Sequence, residues 1–395
     1  MNGPPRGVVA ILVTSEDTAV AFLPGYMEFL AQRGWRVIVG ANSPTGQLFE
    51  MARDAGAEAF HIGWERDPAP LSDLRALWKL TIRLRKARPD VVVTATPKAG
   101  FVGTLAAFIA GVRLRVYQLW GLRMETSTGL LRSILAVLEW FSIRLSTECV
   151  ANSTSLAART EALGLARKGS IQVLGEGSSH GVDVEYFRSA EAGNRVPPLD
   201  PATRAFLTEN PAELTVVFVG RLHPDKGIDT LLAALAACAR RGTGSPAVRA
   251  VIVGGDEGFA PGQYANDLPP GLIHLTGNVR DVRPYVLSAD VLCLPSLREG
   301  FPNVVLEAAA MGVPSVVSDA TGCIDSVKDG ITGRQFPTGD AEALAAIFCA
   351  LAASPLEISR MGQAARAWAV ESFPQERIWD LQASFLEGLL NRKRP

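Results

Sequence analysis

Short apolar runs rich in β-branched residues alternate along this chain with longer stretches whose apolar positions recur every three or four residues. In the first half, residues 8–13, 36–40, 91–94, 116–119 and 148–151 read as strands, and residues 22–33, 71–87, 99–110 and 130–145 as helices between them. The alternation implies parallel strands, because a parallel neighbour is reached only through a crossover, usually a helix. Residues 185–213 interrupt the rhythm, where Pro197, Pro198, Pro201 and Pro211 with Gly193 and Asn194 mark a loose connection. The pattern then restarts with strands at 215–219, 250–253, 273–276, 291–294 and 315–318 and helices at 227–240, 282–288 and 303–311. The predicted class is α/β, with two doubly wound parallel-sheet domains: 1–190, a linker 191–213, then 214–374. A closing helix within 375–395 is expected to cross back to the first domain. Open parallel sheets bind ligands at the carboxyl ends of their strands, so the site is expected in a cleft between the domains.

Bulk properties narrow the field. A chain of 395 residues exceeds one ordinary core. Its 39 basic and 40 acidic residues leave a formal charge of −1, which argues against nucleic acid as a partner held by bulk charge. The five cysteines form no Cys-x-x-Cys pair and read as reduced, buried residues of a cytoplasmic protein. The four histidines are dispersed, without His-Glu-x-x-His or a carboxylate-rich loop, so no metal site is expected. Residues 8–13 are too short a run for a signal-peptide core. Nowhere does an uncharged apolar stretch reach the roughly 18 residues of a spanning helix.

The most informative segment is Arg298-Glu299-Gly300-Phe301-Pro302-Asn303-Val304-Val305-Leu306-Glu307. Two carboxylates separated by seven residues flank a Gly-x-Pro turn that opens a helix. Proline at a first helical position gives up only an amide that would lack a partner anyway. The remaining amides and the positive helix end then face an anion in front of the turn. Glu307, about two turns along, suits a hydroxyl better than a phosphate. Phosphate at the turn and hydroxyls on the carboxylates describe a nucleotide-sugar. A second strand ends in Gly220-Arg221-Leu222-His223-Pro224-Asp225-Lys226-Gly227. There the planar fork of Arg221 and the mobile ammonium of Lys226 can together neutralise a diphosphate without a metal.

With these residues the chain resembles the retaining GT-B glycosyltransferases of family 4. Met311-Gly312-Val313-Pro314 and Gly330-Ile331-Thr332-Gly333 match the same pattern further along. The resemblance implies the GT-B fold, two Rossmann-like domains facing a central cleft. It implies catalytic roles for Arg221, Lys226 and Glu299, the two cations holding the donor diphosphate and Glu299 the donor sugar. Glu307 would take the ribose hydroxyls. Gly220 and Gly255 would line the donor pocket, and the segment Gly300, Phe301, Pro302, Asn303 and Val304 would lie against sugar and phosphate. Val279 and Arg280 would read the nucleobase through backbone groups.

In the first half, Thr96-Pro97-Lys98-Ala99-Gly100 and Gly121-Leu122-Arg123-Met124-Glu125-Thr126 each follow a predicted strand. With residues 174–183 they resemble the subgroup acting in bacterial capsule, O-antigen and glycan-carrier pathways, whose acceptor is a sugar linked by diphosphate to a polyprenyl lipid. Lys98 and Arg123 are candidates for the acceptor-side anion, Glu125 for a hydroxyl, and Thr126 for the same pocket. Three positions depart from the pattern. Trp120 stands before Gly121 where His is frequent, and His180 where Asn is usual. The turn Thr14-Ser15-Glu16-Asp17-Thr18 is acidic and has no Gly.

Residues 74–88 hold Arg75, Lys79, Arg83, Arg85, Lys86 and Arg88 and no acid. On a helical wheel Leu74, Leu77, Trp78, Leu80, Ile82 and Leu84 cover one broad side. Residues 130–145 add Trp140, Phe141 and Ile143 with Arg132 and Arg144. Either both are crossover helices packed on the sheet, or they are interfacial helices. Each basic residue near an anionic lipid surface contributes about 1 kcal/mol. A weakly held, peripheral place on the inner face of the cytoplasmic membrane is therefore expected.

The expected reaction is retaining transfer of a sugar, an N-acetylhexosamine on the narrower reading, from a UDP-sugar to a polyprenyl-diphosphate-linked saccharide. It would be metal-independent and need no cofactor beyond the UDP-sugar co-substrate. A GT-B nucleotide-sugar epimerase would be expected to carry additional acid/base residues, and a non-catalytic partner subunit would usually have lost the four charged donor residues. A dinucleotide oxidoreductase is disfavoured, since no Gly-x-Gly-x-x-Gly follows the first strand.

Overall fold

A computed structural model describes residues 6–64, 69–188, 196–240, 247–258 and 268–393. The chain divides into two compact units, residues 1–180 with 376–395, and residues 181–375. The first division falls at His180, ahead of the proline-rich stretch, of which residues 189–195 lie outside the described residues.

The first unit runs β1 (Gly7–Ser15), α1 (Glu16–Phe22), α2 (Pro24–Gln32), β2 (Trp35–Asn42), α3 (Gln47–Asp54), β3 (Glu58–His61), α4 (Pro70–Ala87), β4 (Val91–Ala95), α5 (Thr104–Ala110), β5 (Leu114–Leu119), α6 (Gly129–Leu145), β6 (Glu148–Ala151), α7 (Thr154–Ala162) and β7 (Gln172–Val173). All neighbouring strands are parallel, in the order β3-β2-β1-β4-β5-β6-β7. Both faces of β1 and β4 are buried, as expected of a parallel sheet covered by helices on each side. From β1 the chain steps outward to β2 and β3, then returns to β4 and steps the other way. Right-handed crossovers therefore put α1–α3 on one face and α4–α7 on the other. The cores agree: Met27 and Leu30 of α2 share a cluster with Val9 and Val37, while Leu80 and Leu84 of α4 share another with Ala106 and Ala107 of α5.

The second unit holds α8 (Pro201–Glu209), β8 (Leu214–Val219), α9 (Ile228–Arg240), β9 (Val248–Val253), β10 (Ile273–Gly277), α10 (Arg283–Leu287), β11 (Val291–Leu294), α11 (Asn303–Ala310), β12 (Ser315–Ser318), β13 (Gly333–Phe336), α12 (Ala341–Ala352) and α13 (Pro355–Ser372). Its parallel sheet has the order β10-β9-β8-β11-β12-β13 around one core in which Phe218, Phe336 and Phe348 are fully buried. The closing helix α14 (Gln375–Lys393) adds Ala383, Leu386 and Leu389 to the α2 side of the first unit's core.

Both sheets reverse their strand order once, between β1 and β4 and between β8 and β11. At such a reversal the flanking turns diverge to opposite faces and leave a crevice at the carboxyl ends.

Candidate active site

The turns after β8 and β11 meet at the reversal of the second sheet. Lys226 Nζ donates to Glu299 Oε1 at 2.6 Å, and Ser296 Oγ donates to the same oxygen at 2.8 Å. Glu299 Oε2 has no partner among the described residues, so one carboxylate oxygen stays available beside the ammonium. Beneath this pair lies a contact that the sequence did not announce. Asp225, 6% exposed, accepts from Arg298 Nη2 at 2.8 Å and sits 2.6 Å from His223 Nδ1. Leu297 N also donates to Asp225 O at 2.9 Å. Burial alone would raise the Asp225 carboxyl, but Arg298, Lys226 and His223 outweigh it and hold the pKa below its ordinary value.

A third turn supports the second. Glu299 N donates to Thr321 O at 2.8 Å, and Gly322 adopts φ 79° directly against it. A Cβ on Gly322 would lie 2.5 Å from Glu299 O and 2.7 Å from Gly300 O, so only glycine permits this approach. On the other side, Gly254 at φ 147° would carry a Cβ 1.8 Å from Gly220 O. That contact brings the turns after β8 and β9 together. Leu222 N donates to Gly255 O at 2.8 Å, and Arg221 Nη1 donates to Glu257 Oε2 at 2.5 Å. Arg221 is thus exposed and aimed along the 254–257 turn rather than at Glu299. Gly255 in turn abuts the Asn278 side chain. Val279 is packed on the core and Arg280 is exposed in the turn after β10.

The helix start differs slightly from the sequence reading. Pro302 is the extended residue before α11 (φ −78°, ψ 111°), and Asn303 is the first helical position. Val305 N already donates to Pro302 O at 3.2 Å, which leaves the amides of Asn303 and Val304 without a backbone acceptor among the described residues. Phe301 is buried against Phe373, with ring centroids 5.3 Å apart. Asn303 Oδ1 is buried with no hydrogen-bond partner, and none is found for the Glu307 carboxyl among the described residues. Burial pushes Glu307 up to about 7, so near neutrality it holds a proton for about half the time. An unpaired amide oxygen and a carboxyl poised to ionise, one turn apart on the same helix, can take donors from a ligand.

The first unit distributes its candidates differently. Thr14 and Thr96 meet across the β1–β4 reversal, Oγ1 to Oγ1 at 2.6 Å, and Thr96 is held at φ 74°, a strained backbone for a β-branched residue. Lys98 follows, but its ammonium lies 2.8 Å from Asp73 of α4 and only 9% of its side chain is exposed. An anion reaching Lys98 would compete with that carboxylate. Arg123 is half-buried and Thr126 exposed in the turn before α6, while Glu125 accepts from Arg159 Nε at 2.9 Å. Glu16, in the acidic turn after β1, is buried and accepts from Ser43 and Thr45, binding the turn after β2. Burial opposes its charge but these hydrogen bonds prevail, lowering its pKa. The two unusual residues Trp120 and His180 come together on Phe22, edge-on at 5.2 and 4.8 Å. Burial depresses His180 to about 4, so the imidazole is neutral.

Residues 20–177 match the model described as glycosyl transferase 4-like domain, and residues 213–354 the model described as glycosyl transferases group 1. A capsular polysaccharide biosynthesis glycosyltransferase, CapM of Staphylococcus aureus, is 29% identical over 365 residues, 92% of each chain. The Escherichia coli protein named UDP-Gal:alpha-D-GlcNAc-diphosphoundecaprenol alpha-1,3-galactosyltransferase is 27% identical over 271 residues, 68% of this chain and 67% of that one. Among solved structures, Anabaena Alr3699/HepE in complex with UDP and glucose aligns with a TM-score of 0.73 and 21% identity, covering 97% of this chain and 100% of that one. That likeness carries the fold, and the fold is GT-B.

Proposed function

We propose that this chain, a two-domain glycosyltransferase of polysaccharide biosynthesis, moves a hexosyl group from a UDP-sugar to a polyprenyl-diphosphate-linked saccharide with retention at the anomeric carbon. The observation that carries the donor half is the Lys226–Glu299 contact at the reversal of the second sheet, with the free amides of Asn303 and Val304 in the adjoining turn. As the glycosidic bond to the diphosphate breaks, negative charge grows on the leaving phosphate. Lys226, Arg221 and the α11 amides stabilise that charge, which is electrostatic preorganisation rather than covalent catalysis. Arg221 swings from Glu257 to reach it. Glu299 keeps one oxygen on Lys226 and turns the other to a sugar hydroxyl. Glu307 ionises to accept the ribose hydroxyls, and Gly220, Gly255, Val279 and Arg280 bound the nucleoside. The leaving phosphate takes the acceptor proton on the same face of the sugar, so no separate base or metal is needed.

The acceptor half rests on the relatives. One is named for capsular polysaccharide and another for a diphosphoundecaprenol-linked sugar. Arg123, Glu125 and Thr126 are its candidate contacts here, with Lys98 reached only if Asp73 yields. An N-acetylhexosamine heads the donor panel. The test is incubation of UDP-hexoses and UDP-N-acetylhexosamines with a polyprenyl-diphosphate-linked sugar, followed by NMR of the product. An α-linked product from an α-linked donor supports the reading. Transfer with inversion overturns retention, and epimerised donor without acceptor favours an epimerase.

A further inference from the structure

The wheel of residues 74–88 predicts one broad apolar side, and the structure divides it in two. Ala76, Leu80 and Leu84 of α4 face the sheet and are buried, whereas Leu71, Leu74, Trp78 and Ile82 form a stripe exposed at 78, 65, 67 and 50%. Neighbouring α6 is more unusual. Only Leu135, Glu139 and Ser142 are buried, and Leu130, Ile134, Val137, Trp140 and Phe141 are exposed. Between them α5 exposes Phe108 and Ile109. Among the described residues, twelve of the twenty-one exposed large apolar side chains lie on these three helices. All three cover the same face of the sheet. Arg85 donates to Ile109 O at 3.0 Å across α4 and α5, and Phe101, just before α5, meets Phe141 of α6 at 6.3 Å. Soluble monomers rarely leave apolar residues gathered on one face in this way, and such patches mark interaction surfaces.

The charges select the partner. Arg75, Lys79, Arg83 and Lys86 are exposed along α4, and Arg132 and Arg144 on α6. The single acid of α6, Glu139, is buried against the Tyr117 hydroxyl at 2.7 Å, and the single acid of α4, Asp73, is paired with Lys98. The face is therefore apolar and cationic, with no exposed acid on either helix. A second copy would bring like charges together. An anionic lipid surface supplies acyl chains for the stripe and phosphates for its border, which is the pattern of helices lying in a membrane interface. No single helix among the described residues is long and apolar enough to cross a membrane.

We propose that α4 and α6, with the end of α5 between them, form a membrane-docking face that lies in the headgroup region of an anionic bilayer. It stands apart from the transferase reading, because vesicle binding needs neither donor nor acceptor.

Co-sedimentation with vesicles of phosphatidylglycerol in phosphatidylcholine, against phosphatidylcholine alone, tests it. The full chain binds the anionic vesicles, and high salt weakens binding by about tenfold or more. The combined Trp78→Ser, Ile134→Ser and Trp140→Ser substitutions lose binding, as does Arg75→Glu with Lys79→Glu. Both variants melt like the parent and keep transfer to a short, water-soluble acceptor. No binding by the parent, or equal binding by the serine variant, overturns the proposal. So does a parent dimer that the serine variant converts to monomer, since the face would then cover another copy.

Discussion

Lys226 and Glu299 lie 73 positions apart in sequence, yet their side chains meet at 2.6 Å where the second sheet reverses its strand order. Each is 18% and 15% exposed respectively, shielded enough for the charge to matter and open enough for a ligand. Ser296 fixes the carboxylate and Asp225 with Arg298 fixes the two turns, so the pair stands in a defined geometry before any ligand arrives.

If Lys226 stabilises the departing diphosphate, Lys226→Ala and Arg221→Ala each lower turnover by roughly 10²–10³-fold, the scale of losing one charge-stabilising donor. Steady-state assays with a saturating donor check this. Near-parental turnover in both variants would remove the two cations from the mechanism.

Glu307 predicts a pH dependence. Its folded pKa of about 7 lies above the 4.5 of an ordinary glutamate, so the folded state retains a proton that the unfolded chain releases. Stability therefore falls as pH rises from 4.5 through 7. Glu307→Gln should flatten that fall and gain about 1–3 kcal/mol at pH 8. On the proposed role of Glu307, UDP affinity should behave oppositely. The parent is then expected to bind more tightly above pH 7, where the carboxylate would accept ribose hydroxyls, and the Gln variant to bind weakly with no such step. Thermal melts and calorimetry across pH 5–9 separate the two effects.

Arg298→Ala tests the buried clamp. Leaving Asp225 buried without its cation costs about 2–4 kcal/mol. Because the Asp225 pKa is depressed in the fold, its contribution is present above the 3.8 of an ordinary aspartate and disappears as pH falls below it. The parent should lose stability steeply on acidification in that range, and the variant less so. Identical acid melts would show that Arg298 does not hold Asp225.

Gly322→Ala should be more damaging than its size suggests. The new methyl meets Glu299 O at 2.5 Å from a left-handed backbone, so the Glu299 turn must shift, at about 1–3 kcal/mol. A fall in donor affinity with the overall fold intact is expected. Unchanged affinity would mean the 319–323 turn does not position Glu299.

The sequence makes the central strands and crossover helices legible because both faces of those strands are buried, giving unbroken apolar runs such as Val91-Val92-Val93. Three strands go unread, β3, β7 and β13, and each is a short strand at a sheet edge with mixed burial. Helices α1, α3, α7, α8, α12 and α13 also go unread; α8 lies within the stretch read as a loose connection, where its prolines mask it, and α12 is so uniformly apolar that no periodicity marks a face. At the site, the sequence singles out Lys226, Glu299 and Glu307, and the structure brings the first two into contact. The sequence cannot show that Arg221 rests on Glu257 or that Lys98 is committed to Asp73, because both depend on side chains from distant loops. Arg298 and Gly322 go unread for the same reason. A glycine after a strand is common, and only the Glu299 carbonyl above it makes this one obligatory. On α4, periodicity marks an apolar side without dividing it between sheet and solvent, which needs the position of β4.

The most direct test is calorimetric titration of UDP into the parent, Lys226→Ala and Lys98→Ala chains at pH 8. The account predicts that Lys226→Ala weakens binding by about tenfold or more while Lys98→Ala leaves it unchanged, because the proposed diphosphate site is the β8–β11 reversal. Parental affinity in Lys226→Ala, or loss of affinity in Lys98→Ala, would contradict it.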